Sequence, residues 1–85
     1  MDTERKIAKF TKHVRCATAA IKSRETVTRN VQANDETIKN HLAKANEILR
    51  DAEHEDDRAF WTWAECKGRS TFDRLYAAER AYYCA

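Results

Sequence analysis

Glu47, Asp51, His54 and Glu55 fall at i, i+4, i+7 and i+8, so on a helix they would share one face. Three carboxylates and an imidazole in that pattern could approach a single cation. One helix seldom closes a coordination shell, and no Cys or His cluster completes this one locally, so no metal is expected. His13 and Cys16 form an i, i+3 pair, but Cys16 adjoins Ala17 and is read as a small apolar group in the packing. The chain contains no HExxH, nucleophile elbow or metal knuckle, and its only glycine, Gly68, leaves no phosphate-cradling loop. No cofactor is implied and catalysis is not expected.

The residues left to carry function are aromatic and charged. Phe60, Trp61, Trp63, Phe72, Tyr76, Tyr82 and Tyr83 gather after residue 60. Phe60 and Trp63 fit a core, whereas Trp61 and Tyr82 leave their helices on other sides, where exposed aromatics commonly serve binding. A protein contact is therefore expected at Trp61 and Tyr82, with Phe60 and Tyr76 beside them.

Charge is uneven. Residues 1–30 hold 8 basic and 3 acidic side chains, and residues 51–58 hold 5 acids against Arg58. Arg5, Lys9, Lys12, Arg15, Lys22 and Arg29 could follow a phosphate backbone. No recognition helix with a preceding turn is evident, so such binding would be independent of sequence. The basic end of one chain could instead meet the acidic stretch of another in an antiparallel association.

These side chains must be positioned by helices. With Ile7 as a, an apolar a/d register runs from Ile7 through Phe10, Val14, Ala17, Ile21, Val31, Ile38, Leu42, Ala45, Leu49, Ala52, Ala59 and Trp63 to Cys66, interrupted by Arg24, Thr28, Asp35 and Asp56. Ala, Glu, Lys, Leu and Arg supply 41 of the 85 residues, the composition of long helices. The expected fold is all-α: helices over about 4–24 and 30–67, and a short helix over 71–83 folded back as a helical hairpin. Two arrangements fit residues 24–30, where polar and β-branched residues cluster. A break would fold the first helix onto the second; its absence would merge them into one rod roughly 95 Å long at 1.5 Å per residue. The break is favoured. Gly68 reads as a C′ residue and Ser70-Thr71-Phe72-Asp73 as a capping box. The chain forms one small domain, with the basic segment 1–29 able to move against the hairpin 30–85.

Ile, Leu, Val and Phe number only 13, a thin core for 85 residues. Self-association through a seam of Ile38, Leu42, Leu49, Val14 and Ile21 would supply the missing burial, so a homo-oligomer, a homodimer above all, is expected. The absence of a long apolar run argues against a membrane span or secretion leader, and Cys16, Cys66 and Cys84 are odd in number and far apart, which points to the cytoplasm. The functional expectation is a small self-associating interaction module that regulates or inhibits a larger protein. The alternative is a sequence-independent nucleic-acid binder using the basic face of residues 5–29.

Overall fold

A computed structural model describes residues 2–26 and 31–83, with side chains described throughout except at 24–26 and 31–35. Four helices follow in order: α1 (Thr3–Thr26), α2 (Val31–His54), α3 (Arg58–Glu65) and α4 (Arg69–Tyr83). Lys6 meets Glu55 and His13 meets His41, so α1 and α2 lie side by side and antiparallel. Phe10 touches Phe72 while Ile21 shares a groove with Ala81, so α4 runs along α1 in the same direction. The 41 × 20 × 20 Å envelope matches helices about 36 Å long, which is what 24 residues span at 1.5 Å each. Residues 27–30, the centre of the expected break, lie outside the described residues. The antiparallel packing of α1 on α2 nevertheless rules out the single long rod.

The apolar register closes inside this one chain. Phe10, Val14, Ala17, Ile38, Leu42, Ala45, Ala52, Phe60 and Leu75 are buried in one cluster, and Ile7, Ile21 and Leu49 pack partly buried against it. The seam expected to meet a second copy is thus filled by the chain's own helices, because α4 covers the stripe that α1 and α2 present. α1 belongs to the same core, to which it supplies Phe10, Val14 and Ala17. Aromatic volume compensates for few aliphatics. Phe10 packs against Phe60, Trp63 and Phe72 with ring centroids 5.9, 6.1 and 4.9 Å away.

The expected helix over 30–67 is in fact two. Asp56 takes a φ of 52°, a left-handed conformation that aspartate tolerates better than most residues and that ends α2. Asp57 then caps α3, its Oδ1 accepting from the Phe60 N–H at 3.1 Å. The heptad phase loses its meaning past this corner: Ala59 and Cys66, both in register, are exposed, while Phe60 and Ala64 are buried.

Gly68 has a purpose other than the expected C′ turn. Its φ is not positive. A Cβ there would lie 2.8 Å from ring carbons of Trp63, so glycine is required by the close approach of the indole. The Gly68 N–H donates to the Trp63 carbonyl at 2.7 Å, and its own carbonyl accepts from Phe72 at 3.0 Å, opening α4 two residues before the expected start at 71. That bond places Ser70 inside the helix rather than at its cap.

Candidate interaction surfaces

Two of the polar contacts that α1 makes with α2 and the α2–α3 corner differ in chemistry. At the α3 end, the wholly buried Lys6 donates from Nζ to Glu55 Oε2 at 2.7 Å and to Asp57 Oδ2 at 2.9 Å. Thr3 Oγ1 donates to both oxygens of Asp57, at 3.1 and 3.0 Å. Hydrogen bonds from Lys6 to Glu55 and Asp57 hold its ammonium above the ordinary pKa of 10.5 against the opposing effect of burial. Lys6 in turn holds Glu55 below 4.5 and, with the Phe60 N–H, Asp57 below 3.8. One aspartate therefore closes the α2–α3 corner, caps α3 and neutralises a buried cation. This is structural chemistry, and it consumes Glu55, one of the four residues considered for a metal. Among the described residues no three His, Cys, Asp or Glu side chains converge to hold a metal ion.

Midway along the helices, His13 Nδ1 lies 3.0 Å from His41 Nδ1, with ring centroids 5.3 Å apart. At that distance one nitrogen carries a proton and the other accepts it. Burial lowers the His13 pKa below 6.5, and His41, Lys44, Lys12 and Lys9 lower it further. His13 thus pairs across the helices with His41 rather than along α1 with Cys16, which is half-buried as a free thiol. A signal for this pairing is present in the sequence: Lys6, His13, His41 and Glu55 each stand one place before an a position, and such flanking positions meet when the helices fold back on each other.

The expected partner residues are distributed unequally. Phe60 has no exposed surface. Trp61 is half-buried with its ring edge-on to Phe60 at 5.3 Å, and Tyr82 is half-buried against Tyr83 at 4.9 Å. Tyr76 and Tyr83 are the exposed large hydrophobics among the described residues, at 57% and 67%. Seven residues apart on α4, they form one flank, with Tyr82 against Tyr83 and Phe72 6.2 Å from Tyr76.

On α1, Arg5, Lys9, Lys12, Arg15 and Lys22 are all exposed, and no acid occurs between Glu4 and Glu25. Arg29 lies outside the described residues. No described helix is long and apolar enough to cross a membrane. Comparison with protein families, curated proteins and solved structures found no match to this chain.

Proposed function

We propose that this protein is a helical protein–protein interaction module that engages its partner through the tyrosine flank of α4. The observation that carries this reading is the exposure of Tyr76 and Tyr83 on one side of a helix that buries Leu75 and Ala78 in the core. Two large amphipathic rings left in water fit the residue types that anchor protein interfaces. Tyr82 and Phe72 back the two rings, so the flank is presented with limited freedom to collapse. The same flank is where self-association would begin, and regulation or inhibition of a larger protein is a use suited to a small domain of this kind. The test is the paired variant Tyr76→Ala/Tyr83→Ala, studied by sedimentation and by affinity capture beside the parent. Helicity should be unchanged, while the captured partner or the self-associated species disappears. Retention of both by the variant would rule out the tyrosine flank.

A second reading has its own support in the acid-free outer face of α1. Exposed cations there fit sequence-independent binding to phosphates. Replacing Lys9, Lys12 and Arg15 together by Ala should then weaken retention on DNA and flatten its salt dependence. The log–log slope should fall by roughly 0.9 for each phosphate that is no longer neutralised. Equal retention by parent and variant at low salt excludes this reading.

A further inference from the structure

Where Phe72 fills the crevice between α1 and α4 near the α3 end, small side chains leave it open about two turns further along. Ile21, Ala77, Ala78 and Ala81 floor a hollow of about 230 Å³ there. Arg74 and Lys22 stand on its rim, and an adjoining hollow shares them with Arg15. Among the described residues, no acidic side chain lines either hollow. Thr18 lies in both, with its hydroxyl turned back onto the Val14 carbonyl at 2.9 Å. An apolar floor inside a cationic rim asks for an occupant that is apolar at its centre and anionic at its edges.

We propose that this groove receives an acidic amphipathic helix from a partner protein, with one aliphatic side chain in the hollow and flanking carboxylates on Arg15 and Arg74. Three features select that occupant. The hollow is smaller than the roughly 300–1,000 Å³ of small-molecule sites, but a single leucine side chain suits it. Ala77 and Ala81, one turn apart and both exposed, let a second helix approach closely along the groove. A helix seated there would pack alongside α1 and α4 as a further member of the bundle and follow the common mode of an apolar helix stripe in a groove. A nucleic-acid strand would satisfy the arginines but leave the alanine floor uncovered. The groove lies about half a turn around α4 from Tyr76 and Tyr83, so binding here needs neither tyrosine.

The experiment uses the full chain, labelled for amide NMR. It is titrated with a synthetic helical peptide carrying leucines at i, i+4 and i+7 between glutamates, and with the same peptide carrying lysines in place of the glutamates. The glutamate peptide should move amides confined to residues 15–22 and 74–81, and the lysine peptide should not. Arg15→Glu/Arg74→Glu, two exposed changes that leave the core untouched, should weaken the glutamate peptide about tenfold or more and admit the lysine peptide. The proposal is overturned if the glutamate peptide does not bind, if both peptides bind equally, or if the double variant binds as the parent does. Shifts at other residues overturn it as well. So does an oligothymidylate that moves the same amides when the glutamate peptide does not. None of these outcomes depends on the tyrosine flank.

Discussion

At the α3 end of the bundle, Phe10, Phe60, Trp63 and Phe72 interlock and a buried Lys6 has two carboxylate partners, whereas further along α1 and α4 the crevice is floored by alanines and stays open. The closed end joins three helices with large rings and pairs its charge internally. The open half leaves cations on the rim and apolar surface on the floor. Side-chain size decides the difference: a phenylalanine in the α1–α4 crevice makes core, and an alanine there makes a groove. The core itself continues past the α3 end through Val14, Ala17, Ile38 and Leu42, so the two regions differ in the α1–α4 crevice alone.

The contrast breaks most severely at Gly68. Gly68→Ala drives a methyl group into the Trp63 ring; its φ is not left-handed, so the change adds no backbone strain and the cost comes from the clash alone. It should cost about 1–3 kcal/mol, as overpacking does, measured by chemical unfolding. A cost below a few tenths would mean that the closed end is looser than its packing implies.

The two polar contacts between α1 and α2 should separate on a pH axis. Asp57 and Glu55 titrate below their ordinary values of 3.8 and 4.5, so their stabilisation is present above about pH 4.5 and disappears as pH falls through the lowered folded values. Lys6 titrates above 10.5, so its contribution is complete below that pH and disappears as pH rises through the raised value. His13 titrates below 6.5 and must gain a proton beside His41, so stability falls as pH drops from about 6.5. Thermal melts across pH should therefore decline in two acid stages. His13→Asn should flatten the first stage alone, and Asp57→Asn should shrink the second. A first stage that survives in His13→Asn would place its origin elsewhere.

The smallest effect belongs to the open half. Ala81 is exposed at the groove, so Ala81→Leu should change stability by no more than about 0.5 kcal/mol while filling the hollow. A large fall in stability would show that the crevice is already packed in solution.

The helices and their buried stripes were legible because the signal is local. Phe10, Val14, Ala17, Ile38, Leu42 and Ala45 recur at helical spacing, and each is buried. The corner at 55–57 was not, because the acids crowded into residues 51–58 read as part of one continuous helix, open to the basic end of another chain, until one aspartate is seen to cap a new helix. The heptad phase made this worse, since it carries through Asp56 to Trp63 and Cys66 without one continuous helix to sustain it. Trp61 shows the same limit, because its place off the stripe is sequence information while its half-burial against Phe60 depends on where α3 turns.

The sequence alone determined that the chain is helical, which faces are apolar and which are charged, because helix periodicity relates residues only three and four apart. Only the tertiary structure decided that the apolar stripe closes within one chain and that Lys6 meets two carboxylates 49 and 51 residues away. It also decided that glycine stands at 68 to admit an indole, and that small residues on two helices leave a groove. Those outcomes depend on the distance between helices and on the volumes that fill it, and neither is encoded in spacing along a single helix.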